Sequence, residues 1–450
     1  MNNISLVFDK GTICVNGDVR IPHGVWDERI GGFRTQALHY REIIDYLKQS
    51  NLMFEDKVED LIPCSYLSSK IRLRKYQKES LDSWNKAGKL GVIVLPTGAG
   101  KTIVAIKAIE LVNEPTIVVV PTLDLIEQWK KILEDKFGIE VGIYGGGDAT
   151  IKELTVSTYD SAYLRSSEIG NRFRLIIFDE VHHLPAEGYR QIAETFTAPY
   201  RMGLTATFER EDMLHKDLPR LTGGIVFKLR PDDLAGRHLA DYTLDRITVE
   251  LTESERLAYQ SHFKIYTTFI SRNRIKLSTP AGFQKFIMRT GWDKEARKAL
   301  LARNKALDIA FNSESKIKAL ENILISNPNE RILIFTQHNH LVYRVSKRFL
   351  IPYITHTTGK EERTENLELF RNGKFRILVT SKVLDEGIDV PEASLGIVLS
   401  GTGSSREFIQ RLGRLLRKKG KKRARLIEIV SSATAETKTS IRRKREVLEN

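Results

Sequence analysis

Short apolar runs rich in β-branched residues alternate with helical segments in two stretches of the chain. The predicted strands of the first stretch are residues 91–95, 117–120, 155–157, 175–178 and 201–204. Those of the second stretch are residues 331–335, 375–379, 395–399 and 425–429. Strands that alternate with helices form parallel sheets covered by those helices. Each stretch therefore predicts one α/β lobe built on a parallel sheet.

The segments outside these stretches follow other patterns. Between residues 239 and 310 the strand pattern stops, and a basic, aromatic-bearing helical stretch takes its place. Residues 1–70 mix short strands with one amphipathic helix, predicted over residues 38–49. We therefore expect four parts: a small N-terminal α+β domain (1–70), a first lobe (71–238), a helical insertion (239–310) and a second lobe (311–450).

The composition is that of a globular protein with a marked positive charge. Hydrophobic residues make up 41% of the 450 residues, and no apolar run reaches the length of a membrane span. The formal net charge of +14 favours a polyanionic partner such as nucleic acid. Cys14 and Cys64 are too few for a disulfide framework or a zinc knuckle. Since the N-terminus lacks a signal-peptide pattern, we expect a cytoplasmic protein, nucleoid-associated if prokaryotic, while a nuclear location stays open.

The first chemical motif is a glycine-rich loop between the strand at 91–95 and the helix that follows it. Its residues, which we expect to bind ATP, are Pro96, Thr97, Gly98, Ala99, Gly100, Lys101 and Thr102. Backbone N–H groups of such a loop bind phosphates, while the lysine reaches the β- and γ-phosphates and the threonine hydroxyl binds magnesium. Leu95 stands where the general pattern has its first glycine. The motif still predicts a nucleotide site.

Two adjacent carboxylates, Asp179 and Glu180, end the apolar strand at 175–178. Ligands of doubly wound sheets bind at the C-terminal ends of strands. We expect Asp179 to hold magnesium through water, and Glu180 to orient and deprotonate the attacking water. A solvated strand end with paired acids is the alternative, which the glycine-rich loop makes less favourable.

The neighbouring histidines His182 and His183 raise the question of a metal site. Zinc requires three or four converging ligands, and no nearby spacing of cysteine or histidine supplies them. We therefore interpret His182 as a residue that senses the nucleotide or couples the two faces of the first lobe.

In their order along the chain, these and later motifs resemble those of superfamily 2 helicases. The resemblance implies two RecA-like lobes that hydrolyse ATP in the cleft between them, with Mg²⁺ as cofactor. The residues that match its ATP-binding, coupling and catalytic motifs are Arg74, Gln77, Thr205, Thr207, Gly387, Asp389, Gln410, Arg414 and Arg417. In relatives the last two arginines face the γ-phosphate, where a guanidinium spreads positive charge over the transition-state oxygens. Those that match motifs assigned to DNA binding are Thr122, Thr158, Thr336 and Thr380.

Within the superfamily, the chain resembles the XPB group. The shared features are the run DEVH at residues 179–182, the Gln410 form of the last motif, and the triplet Arg210-Glu211-Asp212 followed by a basic helical insertion that is similar to a thumb. The group includes archaeal repair proteins and the eukaryotic subunit that opens promoters and damaged DNA. The resemblance implies a 3′ to 5′ DNA helicase or translocase of nucleotide excision repair and transcription, with a damage-recognition domain at residues 1–70.

DNA is the expected partner, and two groups of residues are candidates for contacting it. In the insertion, the basic residues predicted to contact phosphates are Lys264, Arg272, Arg274 and Lys276. Its aromatic residues are assigned to packing: Tyr259, Phe263, Tyr266 and Phe269. The triplet at residues 210–212 is predicted to act as a wedge or strand guide, with a local salt-bridged turn as the alternative.

Three other functions are weighed against a DNA motor. A DEAD-box RNA helicase is disfavoured because the segment at 121–125, the run LTAT at 204–207 and Gln410 differ from that group. A translocase subunit of a restriction or remodelling complex is disfavoured by the triplet at 210–212. An ATP-gated scaffold that recruits a nuclease is disfavoured because every catalytic position holds a competent residue. No nuclease metal cluster is visible in the sequence, so any cutting activity is expected to come from a nuclease partner.

Overall fold

The computed structural model describes residues 4–210, 212–234, 241–277, 280–381, 393–400, 423–437 and 440–441. The chain divides into two compact units, one comprising Met1–Pro96 with Gly100–Arg230 and the other chiefly Pro231–Asn450. Each unit is described by itself. None of the described helices combines the length and the apolar character that a membrane span needs.

The first unit begins with a small α+β domain whose core is apolar. Its elements are β1 (Ile4–Asp9), β2 (Thr12–Asn16), β3 (Val25–Asp27), β4 (Gly32–Gln36), α1 (Tyr40–Gln49) and β5 (Phe54–Lys57). The strand order is β3-β4-β2-β1-β5, antiparallel except for the parallel pair β1–β5. Helix α1 covers the sheet with Ile43 and Leu47, which are fully buried with Leu6 and Ile13. The amphipathic helix predicted at residues 38–49 is confirmed.

The rest of the first unit is a lobe built on an eight-stranded sheet. Its strands are β6 (Leu90–Val94), β7 (Thr116–Val120), β8 (Gly142–Gly145), β9 (Asp148–Ala149), β10 (Leu154–Thr158), β11 (Leu175–Asp179), β12 (Tyr200–Thr205) and β13 (Ile225–Lys228). The order is β13-β6-β12-β11-β7-β10-β8-β9, with all pairs parallel except β8–β9. All five strands predicted for this lobe are present. The central strands β7 and β11 are buried along their whole length, as their largely apolar runs require, and β10 is buried as well although three of its five residues carry hydroxyls.

Helices connect the strands of this lobe. They are α2 (Lys75–Lys86), α3 (Lys101–Val112), α4 (Leu123–Phe137), α5 (Tyr159–Leu164), α6 (Ser166–Ile169), α7 (Arg190–Thr195) and α8 (Leu218–Thr222). Helix α3 follows β6 directly after the glycine-rich loop, and a 3₁₀ turn, Val181–His183, follows the acidic pair after β11. Both groups of candidate catalytic residues therefore lie at the carboxyl edge of the same sheet.

Polar contacts join the N-terminal domain to this lobe. The side-chain amide of Asn171 donates to the carbonyl of Val58 at 2.8 Å. The guanidinium of Arg174 donates to both carboxylate oxygens of Glu59 at 3.1 Å. These contacts hold the segment that leaves β5 against the lobe, so the two parts form one compact unit.

The second unit contains a six-stranded sheet in which every pair is parallel. Its strands are β14 (Asp241–Val249), β15 (Ile332–Phe335), β16 (Tyr353–Ile354), β17 (Ile377–Thr380), β18 (Leu395–Val398) and β19 (Arg423–Ser431), in the order β14-β19-β18-β15-β17-β16. The four strands predicted here are confirmed. The prediction that the strand pattern stops at residue 239 is wrong, because β14 pairs with β19 over nine residues. Its alternation of polar and apolar residues suits an edge strand.

The helices of the second unit include those of the insertion. They are α9 (Pro231–Leu234), α10 (Glu253–Arg272), α11 (Pro280–Arg289), α12 (Lys294–Phe311), α13 (Glu314–Ser326), α14 (Asn339–Phe349) and α15 (Lys360–Arg371). Helices α10 and α12 pack along each other, with α11 closing one end. A capping box at Thr252 and Glu255 fixes the start of α10.

Each unit contains a buried cation whose charge is satisfied by hydrogen bonds. In the first, Arg201 on β12 is almost fully buried and donates to the backbone carbonyls of Ala193, Phe196, Ala198 and Leu221. Burial without a carboxylate partner lowers the pKa of its guanidinium to about 9. In the second, Lys316 on α13 binds Glu436 at 2.6 Å and the carbonyl of Leu399 at 2.7 Å. Removing one partner of such a pair leaves an uncompensated charge and is strongly destabilising.

Candidate functional site

The glycine-rich loop leaves β6 and ends at the first turn of α3. Gly98 and Gly100 have positive φ angles of 84° and 81°, a conformation that other residues adopt at a cost. A Cβ atom at Gly100 would lie 2.6 Å from Nε2 of Gln77, so a side chain there would displace the Gln77 amide. The loop therefore directs backbone N–H groups and the N-terminus of α3 toward one point, the arrangement that binds phosphate.

Lys101 and Glu180 face each other across this point. The ammonium of Lys101 lies 3.8 Å from a carboxylate oxygen of Glu180 and 3.5 Å from the carbonyl of Leu95. Their side chains are 11% and 15% exposed. A cation and a carboxylate with this limited access to water could act on a phosphate and on an attacking water at the same place.

Asp179 is buried at the end of β11 and has two hydrogen-bond donors. One carboxylate oxygen accepts from the indole Nε1 of Trp129 at 2.9 Å, and the other accepts from the backbone N–H of Glu180 at 3.0 Å. Burial, and then the charge of Glu180, raise the pKa of Asp179 to about 6, against the opposing effect of Lys101. The buried carboxylate of Asp179 and the hydroxyl of Thr102 in the first turn of α3 are oxygen donors of the kind that Mg²⁺ prefers, so these residues fit the expected metal.

Glu180 is held in a strained backbone conformation, with φ 49° and ψ 54°. Such left-handed conformations persist in non-glycine residues only where the surroundings impose them, and they concentrate at functional sites. One carboxylate oxygen of Glu180 lies 3.4 Å from both the Thr205 hydroxyl and Nδ1 of His182. These contacts fix the carboxylate that we expect to orient water.

The hydroxyl of Thr205 contacts Thr207 and His182, so that these three residues lie together beside Glu180. It donates to the carbonyl of Thr207 at 2.7 Å, accepts from the N–H of Thr207 at 3.1 Å, and lies 3.0 Å from Nδ1 of the buried His182. The single proton of the Thr205 hydroxyl has two acceptors within reach, the carbonyl of Thr207 and the carboxylate of Glu180. The three residues predicted to couple hydrolysis to DNA binding are thus brought together, while the coupling itself stays a prediction.

Two aromatic residues contact Asp179 that the sequence analysis did not assign to this site. Besides the indole of Trp129 on α4, the hydroxyl of Tyr159 on α5 donates to the backbone carbonyl of Asp179 at 3.1 Å. Trp129 and Tyr159 belong to the segments that match the DNA-contacting motifs of relatives. The polar group of a buried tryptophan or tyrosine usually makes a hydrogen bond. This tendency is the signal that could have identified Trp129 and Tyr159.

The candidate adenine-binding residues Arg74 and Gln77 begin helix α2. The Oε1 atom of Gln77 accepts from the backbone N–H of Arg74 at 3.0 Å, as in a capping box. The same side chain turns its Nε2 toward Gly100. Gln77 is therefore next to the phosphate loop, and its adenine contact stays a prediction.

The four threonines predicted to bind DNA are hydroxyls engaged within the fold. Thr122 and Thr158 cap α4 and α5, accepting from the N–H groups of Leu125 at 3.3 Å and Ser161 at 3.1 Å. Thr336 and Thr380 are fully buried and donate to the carbonyls of His338 and Ser381. At Thr122 and Thr158, the groups that could contact a phosphate most directly are the backbone N–H groups at the helix starts.

Two residues of the triplet, Arg210 and Asp212, bind each other. The guanidinium makes two hydrogen bonds to the carboxylate, at 2.9 and 2.6 Å, and these bonds lower the pKa of Asp212. Arg210 also donates to the backbone carbonyl of His182. Glu211 lies outside the described residues. For Arg210 and Asp212, the geometry matches the alternative of a salt-bridged turn. The contact of Arg210 with His182 also connects this turn to the predicted coupling residues.

The basic residues of the insertion are exposed. Lys264, Arg272, Arg274 and Lys276 all face solvent, on α10 and just after it. Beside them an open groove of about 730 Å³, between α10 and the start of α12, includes Lys264, Arg272, Arg289 and Lys298 in its lining. The aromatic residues instead pack together: Tyr259 and Tyr266 are buried, with Phe263 and Phe269 against them. Their assignment to packing is confirmed.

The remaining candidates lie outside the described residues. They are Gly387, Asp389, Gln410, Arg414 and Arg417, in the segments 382–392 and 401–422. Their roles stay expectations from the sequence.

Three family models match the chain in succession. Residues 6–58 match the Xeroderma pigmentosum group B helicase damage recognition domain, residues 70–210 match the res subunit of type III restriction enzymes, and residues 315–419 match the helicase conserved C-terminal domain. The second model covers the glycine-rich loop and the acidic pair, and the third covers the two arginines near its end.

Relatives include proteins from archaea, bacteria and eukaryotes. The DNA 3′-5′ translocase XPB2 of Sulfurisphaera tokodaii is 45% identical over 98% of this chain and 100% of that protein. The DNA 3′-5′ helicase XPB of Kineococcus radiotolerans is 30% identical over 83% of this chain but only 62% of its own length. The general transcription and DNA repair factor IIH subunit XPB/SSL2 of Saccharomyces cerevisiae is 26% identical over 86% of this chain and 43% of its own length.

A solved structure supports the fold. The Hef helicase domain of Pyrococcus furiosus matches 82% of this chain and 97% of its own, with a TM-score of 0.53 and 18% identity. Together with the two helicase-domain models, this similarity confirms the fold class of two RecA-like parallel-sheet lobes.

Proposed function

Because the chain belongs to the XPB family of superfamily 2 helicases, we propose that it is an ATP hydrolase that moves 3′ to 5′ along DNA and opens the duplex. The observation that carries this proposal is the cluster of Lys101, Asp179 and Glu180 at one sheet edge, joined through Thr205 and His182 to the loop behind it. Such a cluster can hydrolyse a nucleotide, and its contacts through Thr205 and His182 can pass a change in structure to a second binding surface.

The residues have separable roles in the reaction. Backbone N–H groups of the loop and the ammonium of Lys101 bind the phosphates, and Mg²⁺ would be held by Thr102 and Asp179 to neutralise developing charge. Glu180 accepts a proton from the attacking water at its carboxylate. His182, held in place by the Thr205 hydroxyl, senses whether the carboxylate of Glu180 has bound the attacking water. Arg414 and Arg417 supply positive charge to the transition state, as the family motif implies.

The function is tested by strand displacement on duplexes with a single 3′ or 5′ tail, with and without ATP. We expect displacement or protein movement that depends on ATP and on the 3′ tail, and none with a Lys101→Ala protein. Stimulation of ATP hydrolysis by duplex DNA should exceed that by RNA of equal length. Equal stimulation by RNA, or displacement from the 5′ tail, would contradict the proposal.

Finer assignments rest on the family relationship. We place the protein in nucleotide excision repair and in transcription, acting in the cytoplasm on the nucleoid if the organism is prokaryotic. Residues 1–70 would recognise damaged DNA, and a nuclease partner would perform any cutting. The match of residues 6–58 to a damage recognition domain supports the assignment of residues 1–70.

We further infer that the insertion is a thumb that contacts the DNA backbone. Its exposed basic residues can each neutralise a phosphate, and every such contact adds about 0.9 to the slope of log affinity against log salt. Replacing Arg272, Arg274 and Lys276 by alanine should therefore weaken DNA binding irrespective of sequence and flatten the slope by about two to three units. Basal ATP hydrolysis should be unchanged, and the measurement is binding by fluorescence anisotropy across a salt series.

The matched control replaces two other exposed lysines of the same unit, Lys305 and Lys318, which should leave the slope as it is. An unaltered slope in the triple variant would mean that its side chains face away from DNA, and would remove the physical support for a thumb.

The triplet at residues 210–212 is proposed to guide the strands at the duplex junction, since two acids beside DNA repel phosphate. Replacing all three residues by alanine should abolish unwinding while ATP hydrolysis stimulated by DNA persists. Because Arg210 also donates to the carbonyl of His182, a second variant changes only Glu211 and Asp212. If unwinding and ATP hydrolysis fall together in this second variant as well, the residues support folding or coupling and do not guide strands.

A further inference from the structure

Two histidines and a glutamate of the N-terminal domain converge at a place that no step of ATP hydrolysis uses. His23 lies in the segment between β2 and β3, His39 ends the 3₁₀ turn Ala37–His39, and Glu42 lies in the first turn of α1. Nε2 of His23 is 2.9 Å and Nδ1 of His39 is 3.4 Å from the same oxygen of Glu42. The imidazole rings stack with centroids 3.8 Å apart and planes inclined by 15°.

The spacing of these atoms suits a transition-metal ion. All three ligand atoms lie within 4.8 Å of one another. Nitrogen and oxygen ligands about 2.0–2.1 Å from a tetrahedral Zn²⁺ are separated by roughly 3.4 Å, close to the two distances measured here. Because the two rings stack nearly parallel, their in-plane lone pairs do not yet meet at one point, and an ion would bind once the exposed ring of His23 turns out of the stack. From these positions we propose that His23, His39 and Glu42 form a binding site for Zn²⁺ or a similar divalent transition ion.

The surroundings favour the neutral imidazoles that a metal needs. Burial, and then the charge of His23, lower the pKa of His39 against the opposing effect of the Glu42 carboxylate, and the cationic Arg220 of α8 adds a smaller lowering effect. The stacked rings cannot both hold a proton without repulsion, whereas two neutral rings can share a cation. Arg220 itself is engaged with Glu194 and Asp217 at 2.6 and 2.9 Å. Arg220 therefore does not compete with the histidines for the carboxylate of Glu42.

The composition of the site indicates which ions it takes and how firmly. Imidazole with one carboxylate suits zinc, cobalt, nickel or copper, whereas Mg²⁺ prefers oxygen ligands alone. The side chains of His23 and Glu42 are 52% and 61% exposed, and that of His39 is 17% exposed. Because the protein supplies three ligands and solvent reaches the site, water would take the fourth coordination position. The bound ion should therefore exchange with ions in solution.

A bound ion would connect the loop of His23 to helix α1 at the side of the domain that faces the first lobe. The 3₁₀ turn that carries His39 packs against α7, and a Cβ atom at the nearby Gly11 would lie 2.6 Å from Cγ2 of Thr195 on that helix. Since an ion that binds only the folded state stabilises it, occupancy should make this docked domain harder to unfold.

The test is a titration of the full, metal-stripped chain with Zn²⁺ by calorimetry and with Co²⁺ by visible absorption, in excess Mg²⁺ to fill the ATP site. We expect one ion per chain with a tetrahedral cobalt spectrum, and a rise in the unfolding temperature with zinc. His23→Ala and Glu42→Gln should weaken binding by at least the tenfold or so that loss of even an outer-shell partner costs. Both residues are exposed, so these variants should fold, which circular dichroism would verify.

The matched control is His340→Ala. His340 lies 3.3 Å from Asp308 as an exposed histidine–carboxylate pair, and its replacement should leave metal binding unchanged. Failure of the wild-type chain to bind Zn²⁺ at micromolar concentrations would overturn the proposal. So would equal affinities in the wild type, His23→Ala and Glu42→Gln proteins.

Discussion

Replacing Glu180 by glutamine is expected to lower ATP turnover by about 10²–10⁴-fold, the usual contribution of a general base, with ATP affinity nearly unchanged. The amide has almost the same shape as the carboxylate, so contacts with Thr205 and His182 can be kept. It cannot accept a proton from the attacking water. Single-turnover hydrolysis, with binding of a fluorescent ATP analogue measured separately, distinguishes chemistry from affinity.

Lys101→Ala is the comparison variant for this experiment. The lysine binds phosphate, so its loss should weaken nucleotide binding as well as turnover. The 3.8 Å contact between the two side chains makes the pair informative, because each variant removes one member of the same ion pair. A Glu180→Gln protein that hydrolyses ATP at the parental rate would exclude Glu180 as the general base.

Replacing Arg414 or Arg417 by alanine is expected to lower turnover by about 10³-fold or more, with little change in ATP affinity. A guanidinium that acts on the γ-phosphate stabilises charge that develops only in the transition state, so its loss affects turnover more than binding. The measurement is the dependence of steady-state hydrolysis on ATP concentration, with turnover and KM reported separately.

A control for the arginines is Lys421→Ala, which changes a basic residue four positions after Arg417 that matches no helicase motif. It should leave turnover at saturating ATP unaltered. If affinity fell in the arginine variants while turnover at saturation held, these residues would be ligands of the ground state. Their assignment as catalytic residues would then be wrong.

The sequence predicted the two sheets because their strands carry strong local signals. Fully buried parallel strands are largely apolar, and runs such as residues 116–120 and 175–178 therefore predict such strands. The catalytic residues follow directly from those runs, since a loop or an acidic pair after a buried strand lies at a known edge of the sheet. Fold class and ATP site were therefore accessible without coordinates.

The rest depends on contacts between residues far apart in sequence. Strand β14 pairs with β19 across more than 170 positions, and its half-polar pattern resembled that of the helical segment after it. Arg201 and Lys316 would be placed at the surface by composition, yet backbone carbonyls and Glu436 satisfy them inside. No local pattern reports such partners, because burial of a charge is decided by the tertiary structure that surrounds it.

The hydrogen bond from Trp129 to Asp179 connects a proposed DNA contact to the proposed magnesium site. Helix α4 is capped by Thr122, where a DNA phosphate is proposed to bind, and carries the indole that donates to the carboxylate proposed to bind magnesium. If phosphate binding shifts α4, the free energy of that shift enters the affinity for Mg²⁺ and ATP. By thermodynamic reciprocity, bound nucleotide must then change the affinity for DNA by the same factor. One buried donor and one acceptor thereby give the two binding events a common coupling free energy.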